Sequence, residues 1–303
     1  DSQKFEDTKR RLVGDVALGC AVVSYCGPFN QDYRTYMVRS KFTADLKARG
    51  VPVTTNLDLT NFLVDIGTIG DWNMEGLPTD PLSIQNGILI TQASRYPLLV
   101  DPQGQALKWI KSREKERTPH YGTTTLSHPK LKDQLEYAMA EGMAFIVIQV
   151  ENTIDPMFDP VLERQYIIRG KKTFLSLNGS DRRLEVDVEN FMMYFISRLP
   201  NPSFSPELQA KTCVVDFTVT QLGLEEQLLG VVIQKEQRSL EEQLNNVLEE
   251  VTSNTKSLLR LDELLLERLS ANTGNLLEDE ELIGVLADTK AKSTEVNDKL
   301  VAA

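Results

Sequence analysis

Histidine is nearly absent from this chain of 303 residues: His120 and His128 are the only two, and both fall in a polar stretch with no acidic partner at ligand spacing. That excludes the usual imidazole-based metal centre and leaves little material for histidine acid–base chemistry. Cysteine is scarce too. Cys20, Cys26 and Cys213 form no CxxC pair, and each lies in an apolar stretch, so reduced, buried thiols and a reducing, cytosolic compartment are expected. Excess positive charge is missing, since the formal net charge is −11. A general nucleic-acid or anionic-membrane surface is therefore not expected. Nor is there a long hydrophobic run. Leu12–Tyr25 falls short of the roughly 20 residues that span a bilayer, and Gly14, Asp15 and Gly19 interrupt it. No targeting signal opens the chain, which starts without Met and stops inside a helical pattern, as a fragment would.

What is present is ordinary globular composition, 41% hydrophobic and 25% charged, with the charge placed unevenly. From Leu224 to Ala303 there are 17 acidic and 8 basic residues, so most of the net charge sits in the last quarter. The opening segment, Ser2–Cys26, reads as a helix that starts solvated and becomes buried, with Leu12, Val16, Cys20 and Val23 at helical spacing and Gly27-Pro28 as its stop. A second amphipathic stretch, Tyr33–Arg49, ends at Gly50.

Between Thr54 and about Thr220 short apolar runs alternate with helical stretches. Tyr96–Val100, Thr123–Leu126, Ala144–Val150, Phe191–Ile196 and Val214–Val219 read as strands. Gln105–Arg117 and Pro129–Glu141 read as helices, the latter with Leu131, Leu135, Ala138 and Met139 on one side. Phe174–Leu177 and Leu184–Val188 flank Asn178-Gly179-Ser180, a hairpin signal. Apolar strands separated by helices imply a parallel sheet covered on both faces, an α/β fold.

The last segment changes character. Leu240, Leu244, Val247, Val251, Asn254, Leu258, Leu261 and Leu265 are spaced 4-3-4-3-4-3-4, a heptad seam with charged flanks. A helix from Leu224 to Ser270 would be about 70 Å long. Thr273-Gly274-Asn275 should break it, and a weaker seam through Leu282, Leu286, Thr289, Ser293, Val296 and Leu300 follows. An antiparallel coiled-coil hairpin is the expectation, with a helical bundle packed on the same domain as the alternative.

Chemistry in such a fold belongs where the first strand meets the next helix, because backbone N–H groups at a helix N-terminus cradle phosphate. Here that corner is Asp101-Pro102-Gln103-Gly104-Gln105-Ala106-Leu107-Lys108 after Pro97–Val100. Against G-P-x-G-x-G-K-[ST], Pro102 and Gly104 agree, but Asp101 and Ala106 replace glycines, Leu107 replaces the phosphate lysine and Lys108 the Mg²⁺-ligating hydroxyl. Lys108 is one position late and should face elsewhere. The strand that would end in Asp-Glu reads Ile148-Gln149, with no acid before Glu151. Both elements are degenerate, so neither nucleotide nor metal binding is expected. Lys111–Arg117 reads as a solvated turn, and Asp155 and Asp159, each before a proline, read as turn starts.

Several runs resemble the dynein heavy chain family. They are Leu12-Val13-Gly14-Asp15-Val16, Tyr25-Cys26-Gly27-Pro28-Phe29 and Tyr33-Arg34, then Trp72-Asn73, Gly76-Leu77-Pro78-Thr79-Asp80, Ser83 and Asn86-Gly87. Arg95-Tyr96-Pro97-Leu98 through Asp101-Pro102-Gln103 is the most specific. Leu199-Pro200-Asn201-Pro202, Asp216-Phe217-Thr218-Val219-Thr220, Gly223–Leu229 and Gly274-Asn275-Leu276-Leu277 follow in order. The resemblance covers essentially the whole chain and looks closer to axonemal than to cytoplasmic heavy chains.

The resemblance implies a fifth AAA+ module of the P-loop NTPase type. Residues 1–49 would be the end of the stalk and of the fourth module's small subdomain, and 50–220 the large α/β subdomain. Residues 221–303 would be a small helical subdomain extended into the buttress, or strut, that braces the microtubule-binding stalk. It implies a non-catalytic relay within an ATP-driven, minus-end-directed motor, with ATP and Mg²⁺ held at other modules. Implied partners are the neighbouring modules and stalk of the same chain, microtubules, and dynein intermediate and light chains. The implied place is the cytoplasm, the cytoskeleton and the axoneme of a cilium. The chain departs from the family at Ile148-Gln149, where Glu-Asp or Glu-Asn is frequent, and at Glu236-Gln237-Arg238, where Glu-Arg-Pro is frequent. Two other readings compete. An active ATPase would need Lys and Ser or Thr at 107 and 108 and an acid near 148–149; the other is a coiled-coil scaffold with an inactive AAA+ head.

Overall fold

Short runs of four to six apolar residues, too brief for helices and bounded by polar turns, become the inner strands of the protein. The computed structural model describes residues 2–119, 122–177, 183–236 and 238–271, with Lys290, Ser293 and Thr294 beyond them. The strands are β1 (Pro97–Val100), β2 (Thr124–Thr125), β3 (Ala144–Ile148), β4 (Ile167–Arg169), β5 (Lys172–Leu175), β6 (Leu184–Glu185), β7 (Met192–Ser197) and β8 (Cys213–Asp216). Five of them form one parallel sheet in the order β2-β3-β7-β1-β8. The sequence reading placed every one of these strands.

Side chains alternate across this sheet, and both faces are buried. Leu98, Val100, Phe145, Val147, Met193 and Phe195 pack on one face against Leu135, Ala138 and Met139 of a helix at Leu131–Ala140 and against Phe158 and Val161. Phe158 meets Phe195 edge-on, 5.4 Å between centroids. Leu99, Ile146, Tyr194 and Ile196 point the other way and are equally buried. Antiparallel β4-β5-β6 makes a separate small sheet, with Leu175 opposite Leu184 as the hairpin signal requires. The Asn178-Gly179-Ser180 turn itself lies outside the described residues.

The helices are α1 (Ser2–Tyr25), α2 (Gln31–Tyr36), α3 (Thr43–Ala48), α4 (Leu59–Leu63), α5 (Ile66–Met74), α6 (Pro81–Gln92), α7 (Gln105–Arg113), α8 (Leu131–Ala140), α9 (Asp159–Leu162), α10 (Pro206–Lys211), α11 (Gln221–Glu236) and α12 (Arg238–Ala271). A π-helical turn, Met37–Phe42, joins α2 to α3, so the stretch read as one amphipathic helix is continuous. The expected inner stripe of α1 needs correction. Leu12, Val16 and Cys20 are exposed, and the inward residues are Gly14, Asp15, Leu18, Gly19 and Cys26. A Cβ at Gly14 would run into the Pro52 carbonyl, and one at Gly19 would meet Leu63. The glycines that seemed to interrupt the apolar run are the contact face. The adjoining Asp15 carboxylate accepts from the Thr54 N–H at 2.7 Å and from its hydroxyl at 2.6 Å. Cys26 and Cys213 are buried thiols, as expected, whereas Cys20, expected to be buried too, is exposed because it lies off the contact face of α1.

Contacts gather the chain into two compact units. One contains the residues up to Leu63 together with Glu75–Gly223, so the leading helices pack with the α/β sheet; the other joins Val64–Met74 to the chain from Leu224. Residues 64–74 thus leave the α/β unit despite falling inside 50–220. The cause is a pair of small residues on α5. Gly70 lies so close to Thr252 of α12 that a Cβ would overlap its hydroxyl, Gly67 sits beside Lys256, and Lys256 pairs with Asp71. Thr252 is buried, one residue off the heptad seam. On the seam Val247 is exposed, whereas Val251, Asn254, Leu258 and Leu261 are half-buried. Gln237, the residues from Asn272 to Thr289 and the side chains of Leu240, Leu244 and Leu265 lie outside the described residues. So do the Thr273-Gly274-Asn275 break and nearly all of the second seam.

Candidate functional site

The parallel sheet changes winding direction around β1, whose neighbours are β7 on one side and β8 on the other. Ligands of open α/β sheets bind beyond the carboxyl ends of strands at such a point. Asp101 is the first residue past β1. Its N–H donates to the Ser197 carbonyl at 2.8 Å, tying it to the end of β7. The chain then turns through Pro102 and Gln103 to Gly104, whose φ of 79° lies in the left-handed region that glycine adopts freely.

Gly104 is the N-cap of α7 and supplies no side chain, so the first N–H groups of that helix need another acceptor. Asp101 provides it. One carboxylate oxygen accepts from the Gln105 N–H at 2.8 Å and the other from the Leu107 N–H at 2.9 Å. The residue is fully buried. Burial pushes its carboxyl above the usual range, while the N–H groups of Leu107, Gln105, Ala106 and Gly104 pull it back toward the charged form. The N–H groups of Gln105 and Leu107 at the start of α7 are therefore already bonded to a side chain of the protein. Leu107 is buried and Lys108 is exposed, so the lysine faces away from the interior position that Leu107 takes. Gln105 turns its side-chain amide to Ser83 at 3.3 Å.

At the end of β3, Ile148 is half-buried and Gln149 is exposed, with a φ of 58°. A non-glycine residue there carries local strain. Its neighbour Val150 donates to the Ile196 carbonyl at 3.0 Å. Gln149 opens onto a cleft of about 630 Å³ lined also by Thr125, Ser127, Glu151, Thr153 and Arg198. The lining of that cleft does not include the Asp101 corner. Among the described residues no cluster of histidine, cysteine or carboxylate is arranged to hold a metal ion, and no helix is long and apolar enough to cross a membrane.

Two polar groupings escaped the sequence. Glu114, inside the stretch read as a solvated turn, is buried. Tyr194 donates its hydroxyl to Glu114 at 2.8 Å, Arg117 pairs with it at 3.1 Å, and Arg113 lies 3.6 Å away with its guanidinium over the Trp109 ring. Burial, with the Glu114 charge second, raises the Tyr194 hydroxyl well above its ordinary range. The second grouping is the buried Arg34, which donates to Asn86 at 2.7 Å while Asn86 donates to the Asp216 carbonyl at 2.8 Å. Asp155 starts a turn as read, accepting from the Met157 N–H at 2.8 Å, whereas Asp159 is the first residue of the short helix α9.

Residues 70–296 match the family described as the ATP-binding dynein motor region. The whole chain is similar to the dynein gamma chain of the flagellar outer arm of Chlamydomonas reinhardtii, 47% identical over 303 residues that cover 7% of that protein. It is 45% identical to dynein axonemal heavy chain 8 of Mus musculus over 99% of this chain and 6% of that one. Against dynein axonemal heavy chain 10 of Homo sapiens it is 39% identical over 99% of this chain and 7% of that one. The chain thus spans a small part of each relative's length. The motor-region match covers most of the chain, including the five-stranded sheet, whose parallel arrangement fits an AAA+ fold. On this match and these identities, the chain belongs to the dynein heavy chain family and carries part of its ATP-binding motor region.

Proposed function

We propose that this stretch works in an axonemal dynein heavy chain as the fifth AAA+ module, a structural relay that neither binds nor hydrolyses ATP. The observation that carries the reading is the Asp101 carboxylate bonded to the Gln105 and Leu107 N–H groups. A phosphate at that helix end would have to displace a buried acid and would lie beside a negative charge, with no lysine at 107 to offset it. The missing acid at Ile148-Gln149 supports the same reading, because neither side chain would hold Mg²⁺ or activate water. The family description speaks of ATP binding, and ATP with Mg²⁺ is assigned in this proposal to other modules of the parent chain.

In the same proposal α11 and α12 belong to the small subdomain, and α12 continues toward the strut that braces the stalk. The heptad spacing and the acidic, solvated flanks of this segment support that role. Hydrolysis elsewhere in the ring would change the strain on this helix and, through it, the affinity of the stalk for microtubules. The parent motor would be minus-end directed, reside in the axoneme and assemble with intermediate and light chains. The test uses the full-length motor carrying Leu258→Pro or Glu249→Gln. Proline inside α12 removes a backbone hydrogen bond and clashes with the preceding turn, at about 3 kcal/mol or more. Basal ATP hydrolysis should persist in both variants, and microtubule stimulation should fall only in the proline variant. Normal stimulation in a folded proline variant would mean that the helix does not relay strain.

A further inference from the structure

The strand β4 is the outer strand of the small antiparallel sheet and, among the described residues, pairs only with β5. Val186 donates its N–H to the Thr173 carbonyl at 2.9 Å, so the main-chain groups of Thr173 point toward β6. In an antiparallel ladder both main-chain groups of a residue point to one side, and successive residues alternate. Ile168 stands opposite Thr173, so its own N–H and C=O turn away from β5 to the open edge. The two-residue turn at Gly170-Lys171, with Gly170 at a φ of 63°, closes on the neighbouring pair, Arg169 and Lys172.

Nothing in Ile167-Ile168 guards this edge. Open edge strands are ordinarily blunted by proline, a bulge or an inward-pointing charge. Here the two isoleucines project to opposite faces, both are exposed, and Ile168 is 74% accessible. The charge beside them has one sign. From Arg164 to Lys172 the sequence holds four basic residues and no acidic one, in a chain whose net charge is −11. Lys172 pairs with Glu185 at 2.8 Å, and Arg164 lies over the Tyr96 ring. Arg169 and Lys171 are exposed, and among the described residues neither pairs with a carboxylate. A second copy of this strand would bring like charges together, whereas an acidic strand would be drawn in. The chain covers only 7% and 6% of two of its relatives, so a covering strand has an ample source in the rest of the polypeptide, tethered at high effective concentration.

We propose that the outer edge of β4 receives an extended, acidic segment from elsewhere in the parent heavy chain, which adds a strand to this sheet at Ile168. Main-chain hydrogen bonds to Ile168 supply the pairing, and Arg169 and Lys171 select the charge. Two measurements test it. Hydrogen exchange by mass spectrometry of peptides spanning β4 compares this 303-residue chain with the full-length motor purified without other subunits. The Ile168 amide should exchange at least about tenfold more slowly in the motor. Titration of the 303-residue chain with a short peptide alternating glutamate and valine should show binding on the order of 1 mM, weak because the tether is missing. The double variant Arg169→Glu, Lys171→Glu, checked for folding by circular dichroism, should weaken that binding at least about fivefold. Equal exchange of the amide in chain and motor would overturn the proposal. So would failure of the acidic peptide to bind, equal binding of a lysine–valine counterpart, or binding unchanged in the charge-reversed variant.

Discussion

The N–H of Leu107 points at the carboxylate of Asp101 across 2.9 Å, and the Leu107 side chain is itself buried. One residue therefore closes the corner twice, giving its N–H to an internal acid and burying its own hydrocarbon there. The remaining carboxylate oxygen is held by Gln105. Such a cap stabilises α7 because the N-terminal helix dipole favours a negative group.

Asp101→Asn should lower the stability of the α/β unit by about 2 kcal/mol, because an amide can accept at one atom only and turns a donor toward the other N–H. Urea unfolding followed by circular dichroism measures this. An unchanged midpoint would show that the cap adds nothing.

Gly70 and Gly230 should respond oppositely to alanine. A Cβ at Gly70 overlaps Thr252, so Gly70→Ala should destabilise the unit containing α5 and α12 by about 1–3 kcal/mol. Nothing lies within 4 Å of a Cβ at Gly230, and alanine in that helix should stabilise by about 0.5–1 kcal/mol. Adding Thr252→Ala to Gly70→Ala should restore part of the loss. Equal effects of the two glycine replacements in thermal melts would contradict the close α5–α12 packing.

Lys211 gathers three carboxylates, Glu207 at 2.7 Å and Asp159 and Glu163 at 3.0 Å each. Its hydrogen bond to Glu163 is the main reason the Glu163 carboxyl sits below its ordinary value. A depressed carboxyl contributes stability above its unfolded value, near about 4.3, and loses it as pH falls through the folded value. The Lys211 amine is raised, by Glu207 first, and its contribution holds up to alkaline pH. Lys211→Met should lower the melting temperature by about 1–3 °C at pH 7, a small effect because the Glu163 and Glu207 carboxylates it pairs with are exposed. The difference from the parent chain should shrink as pH drops below about 4. A difference that grows on acidification would reverse the assigned sign.

The sheet was legible because its strands are buried on both faces and read as unbroken apolar runs such as Phe145-Ile146-Val147. Helix faces were less so. Periodicity favoured Leu12 and Val16 on α1, whereas Gly14 and Gly19 make the contact, since small size sets how closely backbones approach and hydropathy does not record it. The same blindness hid α5, whose Gly67 and Gly70 fit α12 across a long separation in sequence. Glu114 read as solvated because its neighbours Arg113, Lys115 and Arg117 are charged; only the fold brings Tyr194 to it. The strand–turn–helix corner at Asp101–Lys108 was legible as a turn between β1 and α7. That the acid bonds the helix N–H groups depends on the left-handed turn at Gly104, which spacing alone does not specify.

The most direct measurement of the central claim is titration of this chain with a fluorescent ATP analogue in the presence of Mg²⁺. With the Gln105 and Leu107 N–H groups bonded to Asp101 and no lysine at 107, no saturable signal should appear up to about 100 μM, a range where useful nucleotide sites are already filled. Saturable binding at low micromolar concentration, competed by unlabelled ATP, would contradict the account.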